Sequence, residues 1–124
     1  MPVKNRIAEF ADDMTGWRRD LHRHPELAFG EQRTAGIVAD LLSAWGIEVH
    51  RGIGRTGVVG VLRGRVPGVR ALGLRADMDA LPMQEKPGRD YCSLNAGVMH
   101  ACGHDGHTTM LLGAARYLAE PRNF

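Results

Sequence analysis

The sequence predicts an α/β fold. Three stretches carry apolar residues at helical spacing, and about three short stretches alternate or are rich in β-branched residues. The chain stops just after the last helical stretch, where a further strand is expected.

The elements follow in chain order. Residues Val3 to Leu21 place Val3, Ile7, Phe10, Met14, Trp17 and Leu21 at spacings of three and four, one face of a helix. The polar run His22-Arg23-His24-Pro25-Glu26 follows, and Pro25 disfavours helical geometry at His24. A second helix fits Glu31 to Trp45, with Ile37, Val38, Leu41, Leu42 and Trp45 on one stripe and Gly46 as its stop. Ile47 to Arg51 alternates as a strand does, and Val58 to Leu62 reads as its hairpin partner across a glycine-rich turn. Arg65-Val66-Pro67-Gly68 marks a second turn, after which Arg70 to Ala76 reads as a third strand. Leu81 to Met99 has little periodicity and reads as a long ordered loop. Thr108 to Glu120, with Leu111, Leu112, Ala115 and Leu118, reads as a third helix. A sheet of three strands with three helices buries little, and small cores are marginal. Residues 1–124 therefore read as the N-terminal portion of a domain cut short.

Composition excludes several function classes. Hydrophobic residues at 44% and charged residues at 24% are ordinary for a globular chain. A net charge of +2, with arginines scattered in pairs at most (Arg18-Arg19), gives no basic block for nucleic acid. No apolar run approaches the ~18 residues of a membrane span. Glu9, Asp12, Asp13 and Asp20 stand where a signal peptide would need an apolar core, so a cytoplasmic location is expected. Two cysteines, Cys92 and Cys102, are too few for a disulfide framework. Cys92 has no donor neighbours and reads as a packing residue.

Gly52-Ile53-Gly54-Arg55-Thr56-Gly57 matches a dinucleotide fingerprint but is followed by strand-like Val58-Val59-Gly60-Val61-Leu62. The fingerprint must open a helix, so a hairpin turn is the better reading. Asp77 and Asp79 fall where the third strand would end. In extended backbone residues two apart point the same way, so both carboxylates can face one site; solvated turn aspartates are the plain alternative. The densest signal is His100 to His107, where His100, Cys102, His104 and His107 stand with Asp105 inside eight residues. Thiolate and imidazole are donors for zinc and related ions. Cys102 and His104 are two apart, which suits a loop in which Gly103 lets the backbone bend close to a metal. A helix carrying His100, His104 and His107 on one face is opposed by Gly103 and Gly106, at about 1 kcal/mol each. A cysteine nucleophile with a histidine base and a small non-catalytic metal-binding module remain as other readings. For His22, His24 and Glu26, spacing alone does not decide between a site and a polar loop.

Four stretches carry a family resemblance: Leu21 to Leu27, Gly54 to Gly60, Leu74 to Pro82, and Met99 to His107. In that order they resemble the amidohydrolase branch of the zinc aminoacylase and carboxypeptidase (M20-type) superfamily, with its hippurate and N-acyl-amino-acid hydrolases. The resemblance implies the N-terminal part of a mixed-sheet, phosphorylase/hydrolase-like zinc-peptidase catalytic domain. It implies two divalent ions (zinc, manganese or cobalt), with Cys102 and His104 as ligands. Asp79, and less directly Asp77, would support the site from behind, as would Asp105 and His107. The implied reaction is attack of metal-activated water on the amide of a small N-acyl amino acid, with a glutamate as base. The family's base lies in a Glu-Glu pair on the strand after the third helix, beyond Phe124, and Glu120 is wrongly placed to replace it. The resemblance therefore implies an incomplete and inactive site, and a homo-oligomer for the full-length relatives.

Overall fold

The computed structural model describes the backbone of residues 3–124 and the side chains from Asn5 onward. Its regular elements are α1 (Val3–Ala8), α2 (Ala11–Arg23), α3 (Gln32–Ala44), β1 (Glu48–Ile53), β2 (Gly57–Val61) and α4 (His104–Ala119).

The first predicted helix is two helices. Val3 belongs to the expected stripe, but its side chain lies outside the described residues. The chain bends at Glu9-Phe10, where the Phe10 amide donates to the Ile7 carbonyl at 3.0 Å. The cause is tertiary. Phe10 is 1% exposed, and its ring lies between the guanidiniums of Arg6 and Arg116, 4.7 and 4.1 Å from the centroid. Arg6 also reaches the far end of α4, donating to both Glu120 oxygens at 2.6 and 2.8 Å. Helices α2 and α4 pack closely: a Cβ on Gly113 would stand 2.8 Å from Met14.

Helix α3 agrees with its stripe. Val38 and Leu42 pack with Ile47 and Leu112 as the core, flanked by Trp17, Trp45, Val49 and Val58. Its N-terminus is capped from a distance. The Glu26 carboxylate accepts from the amides of Arg33 and Thr34 at 2.9 and 2.7 Å, satisfying two otherwise orphaned donors. After Gly46 (φ +71°) the hairpin forms as expected, antiparallel with Glu48 opposite Val61 and a bulge between Arg51 and Ile53. The Gly52–Gly57 run is the hairpin turn. A Cβ on Gly57 would run into the Ile53 carbonyl oxygen, so close backbone approach explains that glycine.

Two expectations need correction. Arg70 to Ala76 is not a strand: the only sheet among the described residues is β1-β2, and Leu72 and Leu74 are 85% and 57% exposed. A strand exists through its ladder to a neighbour, and none of the described residues pairs with this segment. Helix α4 begins at His104, four residues before the expected Thr108. Gly103 is its N-terminal cap residue, left-handed at φ +90°. Gly103 thus stays outside the helix as argued, whereas Gly106 sits in its first turn. The loop over 81–99 is a loop, tied by the Leu81–Met99 bridge with bonds of 2.9 and 3.0 Å.

Candidate metal centre

The turn at Gly103 decides how the ligand-capable residues are presented. Because the helix starts immediately after it, His104 and Asp105 occupy consecutive positions in the first turn. Consecutive helical residues diverge by about 100°, so the two side chains serve different neighbours.

His104 meets Asp79. Its Nδ1 lies 2.9 Å from the Asp79 carboxylate Oδ1 and 2.9 Å from the Asp79 carbonyl oxygen. Both of those atoms only accept, so Nδ1 carries the proton and donates to them. In the neutral ring Nε2 then holds a lone pair. The pair is 17% and 30% exposed, so the ring is fixed yet reachable. Cys102, an exposed free thiol, stands two residues before it. The exposed His107 ring lies 5.8 Å from that of His104, centroid to centroid.

Asp77 and Asp79 part company. The Asp77 carboxylate accepts from Arg75 at 2.7 Å at the surface, while its carbonyl oxygen accepts from the Thr108 hydroxyl at 3.0 Å. Asp79 alone reaches the histidine cluster with its carboxylate. The Arg75 partner explains why equal spacing did not give equal roles.

Asp105 turns into the protein. It is 1% exposed, and its Oδ2 lies 2.8 Å from His22 Nδ1 and 3.2 Å from Arg18 Nε. The other nitrogen of His22 lies 3.0 Å from Glu85 Oε1, and Glu85 Oε2 accepts from the Ser93 amide at 2.6 Å. Burial raises the Glu85 carboxyl, but the Ser93 amide and His22 outweigh it and leave the group below the usual carboxylate range. His100 is 5% exposed, with neither ring nitrogen partnered, and Asp105 Oδ1 is likewise unpartnered. Burial pushes the His100 imidazole below its ordinary value, against the pull of the Asp105 charge.

The undecided polar run now separates by role. His22 joins the Asp105 network, His24 Nδ1 lies 2.9 Å from the Asp20 carbonyl oxygen, and Glu26 caps α3. Arg18 and Glu85 were not singled out by pattern, and His100, named in the ligand-rich run, turns inward beside His22 rather than toward His104. His22 had a signal in its motif, whereas Glu85 lies in the aperiodic loop and gave none.

No group of three or more His, Cys, Asp or Glu among the described residues is arranged to hold an ion. Two donors are left free, the thiol of Cys102 and Nε2 of His104. A thiolate and an imidazole braced by a carboxylate suit part of a zinc-type coordination shell.

Residues 73–124 match the family model described as peptidase family M20/M25/M40. The chain belongs to the M20 family. The M20 match begins just before Asp77 and takes in Asp79, Cys102, His104 and all of α4. An N-acyl-L-amino acid amidohydrolase of Geobacillus stearothermophilus is 48% identical over 98% of this chain and 32% of its own length. A hippurate hydrolase of Campylobacter jejuni is 55% identical over 86% of this chain and 27% of its own. A Bacillus subtilis crystal structure described as a dinuclear metal-binding M20 peptidase superposes with a TM-score of 0.86 at 40% identity, covering 93% of this chain and 32% of that one. The chain thus spans about a third of the length of the curated relatives it matches. No helix among the described residues is long and apolar enough to cross a membrane.

Proposed function

We propose that this M20 chain supplies Cys102 and His104 as ligands to a divalent-metal centre that hydrolyses the amide bond of N-acyl amino acids. The supporting observation is the His104–Asp79 pair, in which Nδ1 is committed to Asp79 and Nε2 is left for an ion. A pair of bound divalent ions (zinc, manganese or cobalt) would activate water and polarise the scissile carbonyl. The residues of this chain prepare for that. Asp79 fixes the tautomer and ring plane of His104 and strengthens Nε2 as a donor. Cys102 lies exposed just before the helix start, and the His107 ring neighbours that of His104.

The relatives named as acting on N-acyl amino acids and hippurate support that substrate class. The general base is not at hand in this arrangement. Glu85 is engaged by His22 and Ser93, and Glu120 is bound to Arg6 at the other end of a helix about 24 Å long. In this reading neither of these glutamates is free to act as base, and the chain alone is expected not to turn over substrate.

The test is titration of the purified chain with cobalt(II), followed by its thiolate charge-transfer absorption. Saturable binding, lost in both Cys102→Ser and His104→Ala, is expected, without hydrolysis of hippurate. Absence of thiolate-cobalt absorption in the wild-type chain overturns the ligand assignment. Metal-dependent turnover by these 124 residues alone overturns the claim that neither glutamate is free to act as base.

A further inference from the structure

The first turn of α4 is held from two directions. His104 is tied to Asp79, and Asp105 is tied to α2 through His22 and Arg18. We infer that His22 is a positioning residue for the metal-donor turn, acting on His104 through Asp105. The inference rests on the proposed ligand role of His104 for its functional meaning, but not for its geometry.

His22 sits in the last turn of α2 and is 3% exposed. Its two ring nitrogens, on opposite sides of the imidazole, face carboxylates from two separate segments, Asp105 at 2.8 Å and Glu85 at 3.0 Å. Turning the ring would take both nitrogens away from their carboxylates. Tyr91 packs edge-on against it at 5.6 Å between centroids, which closes a further side. The result is one continuous chain: Ser93 amide, Glu85, His22, Asp105, Arg18. It joins the 81–99 loop, α2 and α4 at the residue next to His104.

The rotation of a helix about its axis is fixed when two side chains in the same turn are held in diverging directions. Asp105 and His104 provide those two. Without His22, Asp105 keeps only Arg18, whose side chain is 39% exposed and whose bond is the longer at 3.2 Å. The first turn then depends on His104–Asp79 and on the Thr108 hydroxyl, 3.0 Å from the Asp77 carbonyl oxygen. The same polar run grips the other half of the pair, because the Glu26 carbonyl oxygen accepts from the Ala80 amide at 2.8 Å, beside Asp79.

The test reads the tautomer of His104 in the metal-free, nitrogen-15-labelled chain in mildly alkaline buffer. The wild-type chain is expected to show one tautomer, protonated at Nδ1. His22→Gln, whose amide cannot span both carboxylates, is expected to show a tautomer mixture at unchanged helical circular dichroism. Its cobalt(II) affinity is expected to fall about 10-fold, the low end of what outer partners of a ligand carry. A purely structural role would lower the unfolding temperature and leave the His104 signals unchanged, and that result overturns the inference. Should His22→Gln fail to fold, the wild-type chain still decides. The ring protons of His22 facing Asp105 and of His104 facing Asp79 must exchange with solvent in one common opening as urea is raised. Independent exchange overturns the coupling. A wild-type chain that binds no cobalt, yet whose His104 tautomer responds to His22, removes the metal reading and leaves the positioning intact.

Discussion

Asp79→Ala tests how much of the ligand preparation resides in one carboxylate. The His104 Nδ1 proton is shared between the carboxylate and the carbonyl oxygen of the same residue, each 2.9 Å away. Alanine removes the first acceptor and leaves the second, so the Nδ1-protonated tautomer is expected to persist. What is lost is the negative charge behind the ring. A hydrogen bond to a charged group contributes about 1.5–3 kcal/mol, and Asp79 is 30% exposed, which places it at the lower end through solvent screening. A loss of about 1.4 kcal/mol is tenfold in affinity, matching the lower edge of the 10–100-fold range typical of carboxylates that orient ligating histidines. The assay pairs cobalt(II) titration with the His104 tautomer in the metal-free chain. Affinity within about twofold of wild type refutes a role for the carboxylate. A switch to the Nε2-protonated tautomer refutes the share assigned to the carbonyl oxygen.

Two further outcomes follow from the buried network. His100→Leu removes two buried nitrogens that have no partner, so the variant is expected to be more stable by about 1 kcal/mol in urea unfolding; a loss of that size would mean the ring has a partner after all. Glu85 is held below the usual carboxylate range in the folded chain, although burial works the other way. Its contribution is therefore present above the unfolded value and is lost as pH falls through the lowered folded one. Urea midpoints across that acid window should fall less steeply in Glu85→Gln than in wild type, and equal slopes would contradict the depressed value.

The parts of the fold that the sequence made legible are those whose pattern is local. Helix α3 and the hairpin carry their own periodicity and their own turn glycines, and both stand where they were expected. The bend at Phe10 was hidden because Phe10 fits the apolar stripe of a single long helix. Only its seat between Arg6 and Arg116, residues far apart in the chain, reveals the break. The stretch from Arg70 to Ala76 has strand character in its residues but no ladder partner among those described. The same division runs through the site. His104 and Cys102 stood out as candidate donors because ligand-capable side chains cluster there in sequence, and Asp79 because its motif precedes them. Arg18 and Glu85 did not, since each enters the network through contacts spanning dozens of residues.

The run Leu21 to Leu27 shows how a motif rich in ligand-capable side chains can act as a scaffold. His22, His24 and Glu26 look like metal donors by type, yet each is committed to protein partners. His22 reaches Asp105, one residue from His104, while the carbonyl oxygen of Glu26 holds Ala80, one residue from Asp79. The two halves of the His104–Asp79 pair are 25 residues apart in the chain, and nothing local brings them together. A single polar run that grips the neighbour of each supplies the missing connection. The Glu26 carboxylate, at 2.7 Å from the Thr34 amide and hydroxyl, ties that run in turn to the start of α3. A buried network of this kind tolerates partial loss poorly, because each group removed leaves another unpaired. That is a physical reason for so polar a stretch to flank a buried proline.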